Sequence, residues 1–123
     1  PDDATRTAMD AEFRQTVDKA AKAHGLIADV KQVLDQPASP FDSQCIHLIR
    51  QAAMDNHFSH MDIISGAAHD AVAMSRIVPT GMVFVPCKDG ISHNEAEYAK
   101  PADLAAGCQV LHDAVLAYDR AHA

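Results

Sequence analysis

The chain has 123 residues, 48% of them hydrophobic, and a formal net charge of -7. Seventeen acidic residues against ten basic ones leave no basic stripe for nucleic acid, and no apolar run approaches the roughly 18 residues of a membrane span. Three cysteines, Cys45, Cys87 and Cys108, occur without a CxxC spacing; they indicate neither a disulfide framework nor a zinc–thiolate knuckle and fit a reducing, cytoplasmic compartment.

Residues 4–24 predict a helix, with Met9, Phe13, Val17 and Ala20/Ala21 on one face. Asp2 and Asp3 favour its start and Gly25 suits a left-handed cap at its end. The loose alternation from Leu26 to Leu34, with Ala28, Val30 and Leu34 on one side, predicts a half-exposed antiparallel strand. Gln36-Pro37-Ala38-Ser39-Pro40 is a break, since proline forbids helix and central strand alike; it divides the chain into 1–38 and 39–123. Asp42 or Ser43 then caps a helix to about Asn56, with Ile46, Ile49 and Ala53 inward. A short strand is expected over 60–64, a helix over 69–78 ended by Pro79, and a strand buried on both faces over the uniformly apolar 81–85. After a loop at 87–99, Pro101 opens a last helix with Leu104, Cys108, Leu111, Val115 and Tyr118 on one face.

This order predicts an α/β fold: helices packed on a mixed, partly parallel sheet, preceded by a helix–strand piece of an α+β domain. In such folds ligands bind beyond the carboxyl ends of strands. The loops 65–69 and 87–94 both follow predicted strands, which would bring His69 and His93 to one sheet edge. His69 follows Ser65-Gly66-Ala67-Ala68 at a strand-to-helix turn, which reads equally as an anion or oxyanion site and as an ordinary first turn with Ser65 and Asp70 as local partners. His93 lies between Ser92 and Asn94, with Asp89, Glu95 and Glu97 nearby. A lone loop histidine is more often a surface or hydrogen-bonding residue than a metal ligand. His24, His47, His57, His60, His112 and His122 read as solvated or dipole-pairing. The methionines read as core fillers, and Cys87 lacks the histidine–acid partners of a nucleophile.

At these same residues the chain resembles a known family. Ser65-Gly66-Ala67-Ala68-His69-Asp70-Ala71, Pro79-Thr80-Gly81-Met82-Val83-Phe84-Val85-Pro86 and Asp89-Gly90-Ile91-Ser92-His93-Asn94, followed by Ala96-Glu97, resemble in order the C-terminal part of the N-carbamoyl-L-amino-acid hydrolases. The allantoate amidohydrolases and β-ureidopropionases are relatives of that family. Pro40-Phe41-Asp42 resembles the return into its catalytic domain, and 4–34 the end of its inserted lid or dimerisation domain. The resemblance implies that 1–38 is a piece of the lid and 39–123 the C-terminal part of a metal-dependent catalytic domain.

It further implies an enzyme cleaving the carbamoyl or ureido C–N bond of N-carbamoyl-L-amino acids or allantoate-like substrates. Two divalent metal ions, zinc or manganese, would generate the attacking water, with a glutamate moving the proton. By the resemblance His93 is a metal ligand, and Gly66, Ala67, Ala68 and His69 bind substrate. The general base, the remaining ligands and a carboxylate-binding arginine are expected upstream, so no catalytic residue is assigned here. The isolated chain, which opens on Pro1 without Met, is expected to be an inactive fragment, with the metals belonging to the full-length enzyme. A homodimer through the lid is implied as well. The alternative is a non-catalytic remnant or self-associating module without metal. Ala68 stands where the family has Gly, Glu95 where it has Pro, and Cys87-Lys88 where it has Ser-Arg; Lys cannot copy a bidentate Arg contact.

Overall fold

A computed structural model describes residues 2–123. The chain divides into two compact units, Pro1–Ser39 and Pro40–Ala123. Its helices are α1 (Asp3–Ala23), α2 (Ser43–Asp55), α3 (Asp70–Met74) and α4 (Pro101–His122), with a short 3₁₀ turn at Lys88–Gly90.

In the first unit α1 starts where the Asp2 carboxylate accepts from the Thr5 N–H at 2.7 Å. It ends in a Schellman motif. Gly25 takes φ +64°, its N–H reaches the Lys22 carbonyl, and the Leu26 N–H reaches that of Ala21 at 2.8 Å. The following segment is tied back to α1 by polar contacts. Asp3 accepts from the Ala38 N–H at 2.8 Å, and Arg6 pairs with Asp35. Of the expected apolar face of α1, Met9 and Phe13 are exposed while Val17 and Ala21 are half-buried; in the segment that follows, Leu34 is exposed and Val30 half-buried.

The second unit is built on α2 against α4. Its core is Ala52 and Ala53 from α2 with Val110 and Ala114 from α4; Leu48, Ile49, Phe58 and Val83 pack around it. Three of the four core side chains are alanine, which lets the two helix backbones approach closely. Asp42 caps α2 by accepting from the Cys45 N–H at 2.8 Å. The far end is a second Schellman motif, this time with His57 rather than glycine in the left-handed position (φ 57°) and the Phe58 N–H on the Ala53 carbonyl. Asn56 at that end donates to both the Ala52 carbonyl and the Asp113 carboxylate, at 2.9 and 2.8 Å, and so ties α2 to α4. Asp113 also accepts from Gln109 and His112. These bonds, from Gln109, Asn56 and His112 in that order, hold its carboxyl down at about 2.

The α/β expectation is corrected here: among the described residues there is no strand, and the fold is helical. A strand exists by virtue of a paired neighbour that takes up its N–H and C=O groups. The segments 26–34, 60–64 and 81–85 make no backbone hydrogen bonds to one another. The apolar run 81–85 instead lies over two helices. A Cβ on Gly81 would come within 2.8 Å of Ile49 Cδ1, and one on Gly107 within 2.4 Å of Val85 Cγ1. Uniform apolarity thus reflects packing on α2 and α4, and Gly107 sits mid-helix because no side chain fits between α4 and Val85. Segment 60–64 is anchored by Asp62, which pairs with Arg50 of α2 at 2.5 Å. The buried residues of α4 are Val110 and Ala114; of the face read from the sequence, Leu104, Cys108, Leu111 and Val115 are exposed and Tyr118 is half-buried.

Candidate functional site

Both loops singled out in the sequence belong to the second unit. The first runs from Ser65 into α3. His69 is the N-cap residue of α3 in position, with extended backbone (φ -131°, ψ 148°), yet its side chain does not cap the helix. It turns back instead: Ser65 Oγ and His69 Nε2 are 2.7 Å apart. The same hydroxyl oxygen accepts from the Ala67 N–H at 3.2 Å. The ring also meets Phe84 edge-to-face, with centroids 5.6 Å apart and planes at 68°, a geometry aromatic rings prefer. His69 is half-buried, whereas Gly66, Ala67 and Ala68 are exposed. The run of small residues leaves the backbone open; a Cβ added at Gly66 would meet nothing within 4 Å. α3 has only five residues, little more than one turn, so it offers a weak dipole for an anion.

The second loop carries His93. The Lys88 N–H closes it on the Tyr98 carbonyl at 2.7 Å. Asp89, Gly90 and His93 all take positive φ, His93 at 55°. The Glu97 carboxylate accepts from the His93 N–H at 2.9 Å, and Asn94 Oδ1 from the Ala96 N–H at 2.9 Å. Glu97, which the sequence offers only as a nearby acid, therefore holds the backbone of His93. The imidazole of His93 is exposed and takes no hydrogen bond from any described residue.

The residues present do not by themselves fit a binuclear metal centre. Among the described residues no group of three or more His, Cys, Asp or Glu side chains gathers as a metal site. His93 is a single unengaged donor, and the Glu97 carboxylate is committed to its backbone. Cys87 is half-buried, and no described residue pairs it with a histidine. Ser65, read from the sequence as a local partner of this turn, touches His69 four positions on. Sequence reasoning missed Phe84, which touches His69 from the apolar run.

Comparison with known proteins bears on these loops. The model of peptidase family M20/M25/M40 matches residues 4–117. The N-carbamoyl-L-amino-acid amidohydrolase of Rhizobium meliloti is 36% identical over 116 residues, covering 94% of this chain and 28% of the relative. The ureidoglycolate hydrolase of Arabidopsis thaliana is 35% identical over 111 residues, 89% of this chain and 23% of the relative. Among solved structures, a hydantoinase/carbamoylase family amidase from Burkholderia multivorans superposes with a TM-score of 0.87 at 45% identity, over 95% of this chain and 28% of that one. The chain spans about a quarter of the length of these relatives. No helix among the described residues is long and apolar enough to cross a membrane. The ordered loops of Ser65–Asp70 and Asp89–Asn94, and likeness over nearly the whole chain to carbamoyl- and ureido-acid hydrolases, lead to one conclusion: the chain belongs to peptidase family M20/M25/M40, on its carbamoylase side.

Proposed function

We propose that this chain forms part of an amidohydrolase that cleaves the carbamoyl or ureido C–N bond of a small acid, an N-carbamoyl-L-amino acid or an allantoate- or ureidoglycolate-like compound. The observation that carries this reading is the family match across 4–117, which takes in both histidine loops. The open turn Gly66–His69 lines the substrate pocket. A ureido group offers N–H donors and a carbonyl acceptor, and an exposed backbone flanked by a fixed imidazole complements it. His93 gives one ligand to a pair of divalent ions, zinc or manganese, whose other ligands lie outside this chain. The general base lies outside it too. Residues 1–38 are a piece of the lid, through which the enzyme is a homodimer; the exposed Met9, Phe13, Leu26, Val33 and Leu34 support a partnered surface there.

The test is ammonia release by the full-length protein with N-carbamoyl-L-amino acids, allantoate and ureidoglycolate. Turnover of at least one of them is expected. Cleavage of dipeptides with no ureido turnover would overturn the substrate class. The isolated 123-residue chain is expected to release no ammonia, and turnover by it would refute the placement of the base outside it.

A further inference from the structure

We propose that Ser65 is the positioning residue of His69: its hydroxyl donates to Nε2 and so presents Nδ1–H to the ureido substrate. This rests on the reading of the Gly66–His69 turn as the substrate wall, and it adds a residue and a proton position to that reading. The argument starts from the hydroxyl, which has one proton and two lone pairs. One lone pair is taken by the Ala67 N–H at 3.2 Å. Nε2 lies 2.7 Å from the oxygen. Donation to Nε2 uses the hydroxyl proton within the loop, whereas acceptance from Nε2–H would leave that proton to solvent. The imidazole then accepts at Nε2 and carries its own proton on Nδ1, because the hydrogen bond at one ring nitrogen sets the state of the other.

Phe84 supplies the second constraint. Its edge-to-face contact at 5.6 Å comes from the 81–85 segment, which is itself packed on α2 and α4. The hydrogen bond fixes the ring within its plane and the aromatic contact fixes its tilt. No described residue hydrogen-bonds Nδ1. A half-buried ring, held at one nitrogen and on one side with the other nitrogen unengaged, is arranged to give a single directed N–H to an acceptor such as a ureido carbonyl.

The experiment uses the full-length protein with ¹⁵N-labelled histidine, comparing Ser65→Ala, Ser65→Thr, His69→Ala and the Ser65→Ala/His69→Ala double variant. The ring nitrogens of His69 are expected to read as Nδ1–H in the parent and in Ser65→Thr, and as a tautomer mixture in Ser65→Ala. KM for the ureido substrate is expected to rise about tenfold in Ser65→Ala, the scale of one hydrogen bond's net contribution. Ser65→Thr restores it, and Ser65→Ala adds nothing in the His69→Ala background, because the two residues act as one unit. If His69→Ala is impaired while Ser65→Ala keeps the parent tautomer and KM, the positioning role is overturned and the substrate wall stands. If His69→Ala keeps parent kinetics, the substrate wall itself falls, and this inference with it.

Discussion

The two histidine loops are held by opposite means. At His69 the backbone is ordinary and extended and the side chain is fixed, by Ser65 and by Phe84. At His93 the side chain takes no hydrogen bond from a described residue and the backbone is fixed, in the left-handed region with its N–H on Glu97. The difference separates two kinds of preorganisation. A ring already engaged at one nitrogen can address a substrate with the other. A ring with no internal partner, on a backbone that cannot drift, suits a ligand that waits for groups from elsewhere.

The sharpest way to break the comparison is His93→Ala in the full-length protein. Metal content measured by elemental analysis is expected to fall, and ureido hydrolysis to be nearly abolished. His69→Ala, by contrast, should leave metal content unchanged. Full metal occupancy and retained activity in His93→Ala would remove His93 from the ligand set.

Glu97 gives the next largest effect. Its carboxylate holds a non-glycine residue at φ 55°, a region that costs an L-residue of order 1 kcal/mol or more unless the surroundings impose it. Glu97→Ala is expected to weaken metal affinity about tenfold, in line with losses of outer-shell partners. Glu97→Gln, whose amide oxygen still accepts, should recover most of that. The readout is a competitive chelator titration. Equal losses in Ala and Gln variants would mean that the charge of Glu97 matters rather than its hold on the His93 backbone.

How far the two loops could be read from sequence follows the same division. The chemistry-bearing residues and their order were legible, because Gly, Ser, His and Asp in short polar runs stand out between apolar segments. Helix ends were legible too, through Asp2, Asp42, Gly25 and Pro101, since capping is local. What the sequence did not reveal depended on distant partners. The apolar run 81–85 has the same pattern whether it lies between strands or on two helices, and only the Gly107–Val85 and Gly81–Ile49 contacts distinguish these. The periodicity of α4 carried two apolar stripes, and the alanines of α2 picked the one containing Val110 and Ala114. The Glu97 bond to a backbone N–H was hidden by the more obvious reading of an acid beside a histidine.

Both loops adjoin segments packed on the α2–α4 pair, so weakening that pair tests whether they share a scaffold. Asp113 is the lever, as its carboxyl sits at about 2 when folded against an ordinary 3.8. The lowered folded value means that its contribution is complete above pH 3.8 and disappears as pH falls from there toward 2. Thermal unfolding followed by circular dichroism should show the parent losing stability over that window. Asp113→Ala should start with a lower Tm at pH 7 and lose less across the window. Parallel pH profiles for parent and variant would show that the Asn56–Asp113–Gln109 network does not contribute.

The smallest expected effect concerns Ala68, where the family resemblance places glycine. Two physical reasons could require glycine there, a left-handed backbone or a ligand passing close to the chain. The structure removes the first: Ala68 is not among the residues with positive φ, unlike His57, Asp89 and His93. Ala68→Gly therefore relieves no strain, and it adds freedom to the unfolded chain. It is expected to cost about 0.4–1 kcal/mol of stability by urea unfolding and to leave kcat/KM within about twofold. A tenfold gain in kcat/KM would establish the second reason, a substrate that approaches the backbone at residue 68. In that event the first loop would act through its main chain as well as through the fixed ring of His69, and its contrast with the second loop would narrow.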